Sequence, residues 1–148
     1  MKLTKLDEYL ISMLLDKYPQ YFDSHDFNKV YVGADELGFN EDSLRNFYFW
    51  LRENNIDPLD YMTFIPNGFL RTDTVLKHIR IPGNIKTIHQ NAFTGSEFES
   101  IEIMNPNIVI DNDAFRWCEQ IKYVKFNGTL KQLFDNDRLS NKFTMWTK

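Results

Sequence analysis

The sequence predicts an α+β fold, in which an N-terminal helical region packs on a short β-rich solenoid of about three coils. Two observations lead to this fold class. A motif of the form apolar-x-x-apolar-x-apolar starts at positions 76, 98 and 121, at intervals of 22 and 23 residues. Upstream of residue 64, apolar residues instead recur at the spacing of an amphipathic helix.

The three copies of the motif predict stacked β-strands. They are Leu76–Ile81, Phe98–Ile103 and Ile121–Phe126. The two-residue period of a strand directs the last two apolar residues of each copy inward, namely Ile79, Ile81, Ile101, Ile103, Val124 and Phe126. One copy alone could not bury this face, so we expect the copies to stack on one another.

The segments that follow the motif also repeat. Ala92 and Phe93 come four and five residues after Ile88, and the same pair recurs as Ala114 and Phe115 behind Ile110. The third copy continues towards residue 134 without this pair. Degeneration of the last copy is typical of a terminal repeat, which has to end the solenoid and face water.

Together these elements resemble the BspA-like leucine-rich repeats. The motif that carries the resemblance reads Ile-x-Ile-Pro, then Ile-x-x-Ile, then Asn-Ala-Phe, and then a small residue three positions further on. Cys118 occupies the cysteine position of that motif, and Ser96 occupies the equivalent position one repeat earlier. It covers residues 64–134 and implies a leucine-rich-repeat solenoid that binds other proteins. It also implies that Cys118 points inward, where a thiol behaves as a small hydrophobe.

Three regions follow from this resemblance. Residues 1–63 form a helical N-terminal region or cap, residues 64–134 the repeats, and residues 135–148 a C-terminal tail. The tail carries Phe143, Met145 and Trp146, which together with Leu133 and Phe134 would close the far end of the solenoid.

The net charge of −4 is unevenly distributed. Residues 1–63 carry six Lys/Arg against twelve Asp/Glu (−6), whereas residues 64–148 carry eleven against nine (+2). An acidic first region makes nucleic-acid binding unlikely, since phosphate neutralisation requires clustered bases, and it suits a basic partner better. A solvated acidic surface is the more common explanation of the same residues.

Composition also bears on location. The longest apolar run, residues 9–15, is far shorter than the roughly 18 residues of a membrane span, so no membrane contact is expected. Residues 1–8 lack the regions of a secretory signal. Cys118 is the single cysteine, which excludes an internal disulfide and fits a reducing compartment. These features predict a cytoplasmic protein.

Two helices are predicted before the repeats. The first spans residues 4–17, with Thr4 as its cap and Asp7 three residues later. Its apolar stripe consists of Leu3, Leu6, Leu10, Met13 and Leu14, and is widened by Ile11, Leu15 and Tyr18. A helix with so wide an apolar stripe should be buried, and we expect this helix to cap the first repeat.

The second helix begins after Asn40 as N-cap and ends at Asn54 and Asn55. Its inner stripe is Leu44, Phe47, Tyr48 and Leu51, with Phe39 and Leu44 as a hydrophobic staple. Phe49 and Trp50 lie partly off this stripe, which fits either an interaction helix or, as we favour, a helix sandwiched between two layers.

Residues 30–55 also resemble a helix-turn-helix. The start of the second helix would offer Glu41 and Asp42 to a phosphate-lined groove, with only Arg45 and Arg52 as bases. DNA binding through this element is therefore disfavoured.

The repeats provide the main candidate surface for a protein partner. Its outward strand residues are His78, Arg80, Ser100, Glu102, Tyr123 and Lys125, with Lys77, Glu99 and Lys122 at the strand starts. Two columns alternate positive, negative, positive on strands about 4.8 Å apart. The alternation is explained first by pairing of charges between coils and second by docking of a partner, and both can hold.

An alternative surface lies in the acidic first region. It comprises Asp23, Asp26, Asp35, Glu36, Glu41 and Asp42. Such a surface could imitate nucleic acid and inhibit a host or competitor enzyme, a hypothesis that rests on charge alone. Among aromatic residues, Trp50, Tyr123 and Trp146 are the candidate anchors, because large aromatics dominate interface energetics.

No catalytic constellation is recognisable, so we expect a non-catalytic protein without cofactor or metal. His25 with Asp23 and Asp26 is better explained as an acidic turn than as a metal site. Asp111 and Asp113 lack the glycine and distal glutamate of a calcium loop, and turn chemistry explains them better.

Overall fold

The structure is a computed structural model that describes residues 4–17, 19–20, 26–111 and 113–128. The chain divides into two compact units, Met1–Met62 and Thr63–Lys148. In the described residues, the first unit is helical and the second holds the β-strands, so the fold is α+β. No helix in this part of the chain has the length and hydropathy that a membrane crossing requires.

In the described residues, the helical unit contains α1 (Lys5–Lys17), α2 (Phe27–Glu36), α3 (Glu41–Glu53) and a short 3-10 helix, Pro58–Tyr61. The sequence indicated α2 only as a short helix before the glycine turn, whereas the helix already begins at Phe27. Its C-terminal turn is closed by Gly38, whose φ of 84° is accessible to glycine without strain. A helix, a glycine turn and a second helix therefore follow one another in the chain.

The capping of α1 is as predicted. The Thr4 backbone N–H and hydroxyl donate to Asp7 Oδ2 at 3.1 and 2.7 Å, and the Asp7 N–H donates to Thr4 Oγ1 at 3.1 Å. Asn46 of α3 donates to the same carboxylate oxygen at 2.8 Å. Asp7 is buried, and these hydrogen bonds compensate its carboxylate for the water that burial removes.

The buried face of α1 differs from the predicted stripe. Leu10, Ile11 and Leu14 are buried with Asp7, but Leu6 is 57% exposed. The bonds of Asp7 to Thr4 and Asn46 bring the Asp7 face towards α3, and a neighbouring residue lies about 100° around the helix. The inward assignment of Leu6 and Leu15 is therefore wrong, while Leu3 and Tyr18 lie outside the described residues.

α3 agrees closely with the sequence. Asn40 Oδ1 accepts a hydrogen bond from the Ser43 N–H at 2.9 Å, and the helix ends before Asn54. The predicted inner stripe, Leu44, Phe47, Tyr48 and Leu51, is buried throughout. Phe49 is also buried, and Trp50 is half-buried with its ring stacked 6.1 Å from that of Phe47. α3 is thus covered on more than its inner stripe.

In its described residues, the second unit contains six short parallel strands in two sheets. The first sheet has the order β1 (Phe64–Ile65), β3 (Thr87–Ile88), β5 (Val109–Ile110), and the second has the order β2 (His78–Ile81), β4 (Ser100–Ile103), β6 (Tyr123–Phe126). The strands of the second sheet pair in the register of the sequence repeat, His78 with Ser100 and Ser100 with Tyr123. The copies that start at residues 76 and 98 therefore each contribute one strand to each sheet. In the described residues the third copy contributes β6, and β1 precedes the first copy.

The inward residues of the second sheet form the predicted ladders. Ile79, Ile101 and Val124 are buried, as are Ile81 and Ile103. Phe126, expected inward, is only half-buried. The physical reason lies in its position at the very end of β6, since Val124 inside the same strand is fully buried.

The turns between strands repeat as closely as the strands do. Positive φ angles near 60–75° recur at Gly68, Asn91 and Asp113, and again at Thr72, Gly95 and Trp117. Directly after the second set come Asp73, Ser96 and Cys118, all buried. Cys118 Sγ donates to the Phe93 carbonyl of the preceding repeat at 2.9 Å, so the inward position implied by the family resemblance is confirmed.

Candidate protein-binding surface

The strand face is the outward surface of β2, β4 and β6, formed by His78, Arg80, Ser100, Glu102, Tyr123 and Lys125. Parallel pairing sets them in two columns, one of His78, Ser100 and Tyr123 and one of Arg80, Glu102 and Lys125. Their neighbours along each strand are the buried ladder residues. This buried apolar layer constrains the strand backbone from which the outward side chains project.

Glu102 links the charged column. Its Oε1 lies 3.5 Å from Arg80 Nε, and its Oε2 lies 3.3 Å from Lys125 Nζ. The glutamate side chain is only 17% exposed, against 54% for Arg80 and 78% for Lys125. The Glu102 carboxylate is therefore largely covered, whereas the two cations on either side of it extend into solvent.

The strand starts show the same arrangement in a weaker form. Lys122 Nζ lies 3.6 Å from Glu99 Oε1, and Lys77, directly before β2, is exposed. The pairing of charges between repeats, the first explanation of their alternation, is thus confirmed. Exposed pairs of this kind contribute about 0–1 kcal/mol each to stability, which leaves the surface open to a second role.

Uncharged groups complete the strand face. His78 Nδ1 and Ser100 Oγ form a hydrogen bond of 2.6 Å between neighbouring strands. Tyr123 at the end of this column is 63% exposed. A large side chain with an apolar ring and a polar hydroxyl, held on a rigid strand, is a favourable anchor for a partner.

The alternative acidic surface is divided. Asp35 and Glu36 end α2, while Glu41 and Asp42 begin α3 after the intervening turn. Asp26 lies at the opposite end of α2, about 15 Å away for a helix of that length, and it pairs with Lys29 at 3.6 Å. Asp42 pairs with Arg45, and Asp23 lies outside the described residues.

The candidate aromatic anchors differ in exposure. Tyr123 is exposed and Trp50 is half-buried, whereas Trp146 lies outside the described residues. Sequence reasoning missed Trp117, which is 58% exposed with the Arg116 guanidinium 4.4 Å from its ring centroid. Its position between the inward residues Phe115 and Cys118 was the signal that could have revealed it.

The residues considered for metal binding make other contacts. His89 Nδ1 lies 3.2 Å from Asp111 Oδ2, and Asp113 lies 3.9 Å from Arg116. His25 is outside the described residues, as is Asn112 between the two aspartates. Within the described part of the chain, no group of three His, Cys, Asp or Glu side chains is placed to hold a metal ion.

Parallel strands in repeat register, recurrent turns and an inward cysteine define a leucine-rich-repeat protein. The model of the BspA type leucine rich repeat region, in six copies, matches residues 41–142, which is more than half of the 148 residues. The chain therefore belongs to the BspA-type leucine-rich-repeat family. No curated protein and no solved structure shows a significant match to it.

The family match extends beyond the resemblance seen in the sequence, which starts at residue 64. It already begins at Glu41, the first residue of α3. That segment is helical, and the first strand starts at Phe64. Strand-forming repeats in the described residues therefore occupy only part of the matched range.

Proposed function

We propose that this chain is a non-catalytic protein-interaction module. Its repeats would form a leucine-rich-repeat solenoid of about three coils that presents the strand face to a protein partner. The observation that carries the proposal is the strand face itself, where polar and aromatic side chains from three parallel strands stand in register above buried ladders.

Rigidity of this face supports the proposal. Association costs less when interface side chains are ordered beforehand, because less conformational freedom is lost on binding. Arg80 and Lys125 are held by Glu102, and His78 is held by Ser100. Tyr123 then supplies exposed aromatic area at the rim.

Family membership supports the same function, because repeats of this kind commonly act as scaffolds for protein contacts. The buried single cysteine fits a reducing compartment such as the cytoplasm, which is the location we propose. The alternative of nucleic-acid mimicry by the helical unit draws on charge alone, and its acids are divided between the two ends of α2. We therefore place the binding surface on the repeats.

Affinity capture from the native source, followed by mass spectrometry, tests the function. The test variant combines Arg80→Ala, Glu102→Ala, Tyr123→Ala and Lys125→Ala. A matched control replaces to alanine one arginine, one glutamate, one exposed apolar residue and one lysine elsewhere on the same unit: Arg116, Glu97, Val109 and Lys86.

We expect the control to recover the same partner as the unaltered protein and the test variant to lose it. Circular dichroism of both variants verifies that the fold is intact. Equal recovery by the folded test variant would remove the strand face as the binding surface.

A further inference from the structure

We infer that Asn67 is a site of spontaneous deamidation, which converts it to isoaspartate and lengthens the backbone between β1 and the buried Phe69. The inference concerns a covalent modification of the repeat unit and does not depend on the function proposed above. The reaction requires an asparagine whose side-chain amide can be reached by the backbone nitrogen of the next residue.

The residue that follows Asn67 is glycine. Only one other Asn-Gly pair occurs in the 148 residues, Asn127 with Gly128. Glycine has no Cβ, so its backbone nitrogen can approach the preceding side chain with the least steric hindrance. The two pairs are therefore the candidate sites, and the hydrogen bonds around them differ.

The peptide group that joins Asn67 to Gly68 is not held by hydrogen bonds. Among the described residues, its C=O accepts none, its N–H donates none, and the Asn67 side chain makes none. Asn67 is exposed, whereas Gly68 is buried and has a φ of 75°. Cyclisation requires rotation of this peptide group and of the exposed side chain, and glycine accepts the change in φ on either side of zero. Neither rotation breaks a hydrogen bond made by these groups.

The second pair is restrained. Asn127 Nδ2 donates to the Met104 carbonyl at 3.0 Å, and the Asn127 backbone N–H donates to the Ile103 carbonyl at 2.9 Å. Attack by the Gly128 nitrogen expels Nδ2 as ammonia, so the bond to Met104 has to be given up first. Asn67 is therefore the faster of the two sites.

The reaction needs only water as co-reactant. The Gly68 nitrogen attacks Cγ of Asn67, the N–Cγ bond forms, the Cγ–Nδ2 bond breaks, and ammonia leaves with the proton of the Gly68 N–H. Water then opens the succinimide ring. Opening at the Cγ carbonyl gives aspartate, and opening at the backbone carbonyl gives isoaspartate, in which the chain continues through Cγ. Both products carry a new negative charge, but only isoaspartate adds an atom to the backbone.

The added atom would fall between two fixed points. The Ile65 carbonyl at the end of β1 accepts the His89 N–H at 2.9 Å, and the Leu70 N–H donates to the Ala92 carbonyl at 2.8 Å. Phe69 between them is fully buried. A longer chain cannot keep both bonds and this burial without strain. Isoaspartate should therefore lower the stability of the repeat unit, whereas a charge on an exposed side chain should change it little.

The first experiment ages the full-length protein at mildly alkaline pH, where loss of the Gly68 N–H proton is faster, and follows both Asn-Gly pairs by peptide mass spectrometry. Deamidation raises the peptide mass by about 1 Da, and an isoaspartyl methyltransferase labels isoaspartate with methyl groups. We expect the Asn67 peptide to react at least about threefold faster than the Asn127 peptide, because a hydrogen bond has to break at Asn127. Equal or faster conversion at Asn127, or no isoaspartate at position 67, would overturn the inference.

Two variants separate the modification from its consequence. Asn67→Gln would need a less favourable six-membered ring, so position 67 should stay unmodified while Asn127 reacts as before. Freshly prepared Asn67→Asp carries the new charge without the added backbone atom. In urea denaturation, the aged unaltered protein should unfold at a lower urea concentration than aged Asn67→Gln and than Asn67→Asp. A midpoint equal to that of Asn67→Asp, with isoaspartate present at position 67, would overturn the effect on the backbone.

Discussion

The helical unit and the repeat unit derive their specificity from different interactions. In the helical unit, local side-chain caps define the helix ends, and one buried carboxylate, Asp7, connects α1 to α3. In the repeat unit, the same contact recurs from one repeat to the next, as in the ladder of Ile79, Ile101 and Val124. The stability of the helical unit therefore depends on single polar atoms and on pH, whereas the stability of a stacked apolar ladder depends on side-chain volume.

The largest effect is expected in the apolar stack of the repeats. Phe93 is fully buried, and its ring centroid lies 5.4 Å from that of Phe115, 5.6 Å from that of Phe98 and 6.5 Å from that of Phe69. Phe93→Ala should lower the free energy of unfolding by about 3–5 kcal/mol, measured by urea denaturation. Phe126→Ala is the control, with a smaller loss because Phe126 is half-buried. Equal losses would contradict the central position of Phe93.

In the helical unit, the corresponding test removes the buried Asp7 carboxylate. Asp7→Ala deletes the acceptor of three hydrogen bonds and leaves Asn46 without it, which should cost about 1–3 kcal/mol of unfolding free energy. Asp42→Ala is a suitable control, because this acid is exposed and its ion pair with Arg45 is local. If both substitutions cost the same, Asp7 does not organise this unit.

The same residue predicts a pH dependence. Burial tends to raise the pKa of Asp7, but hydrogen bonds involving Thr4, Asn46 and Ser43 outweigh it and hold the pKa below the ordinary value of about 3.8. Since the folded-state pKa is lowered, the stabilisation is present above about pH 3.8 and is lost as the pH falls through the folded-state value. Urea denaturation of the unaltered protein and of Asp7→Asn between neutral and acid pH measures it. The variant should lose less stability in acid, and parallel curves would refute the assignment.

A smaller effect is expected where the repeat unit also contains a polar contact. Cys118 donates to the Phe93 carbonyl, and Ser96 makes the equivalent bond to the Leu70 carbonyl one repeat earlier. Cys118→Ser should therefore change the unfolding free energy by less than about 1 kcal/mol. Cys118→Ala has nearly the same side-chain volume as Cys118→Ser but leaves the carbonyl without this donor, at a cost of about 1–2 kcal/mol. Equal losses of the two variants in thermal denaturation would show that volume alone determines this position.

Sequence reasoning succeeded where one local pattern determines the outcome. The caps at Thr4 and Asn40, the inner stripe of α3 and the inward residues of β2 and β4 all follow from spacing that involves neighbouring residues. The outward register of the strand face follows for the same reason, because alternate strand residues point to opposite faces.

Sequence reasoning failed where the burial of a residue depends on a contact with a residue far away in the sequence. Leu6 is exposed because Asp7 bonds to Asn46, which lies 39 residues further along the chain. Sequence reasoning also did not predict the strand β1. Met62 and Ile65 have the same apolar-x-x-apolar spacing as Ile85 and Ile88, but the residues before Met62 do not complete the repeat motif. The different exposures of Glu102 and its two cations depend on how the side chains pack, which sequence spacing alone does not reveal.

The smallest effect concerns Glu102 and separates stability from binding. Its two ion pairs are largely solvent-exposed on the cation side, so Glu102→Gln should change the unfolding free energy by less than about 1 kcal/mol. The same substitution should change the recovery of the captured protein partner, because Arg80 and Lys125 lose the carboxylate that pairs them within the strand face. Chemical denaturation and affinity capture with the same variant measure both quantities. A large loss of stability with unchanged capture would show that the charged column serves the fold of the repeats alone, as Asp7 serves the helical unit.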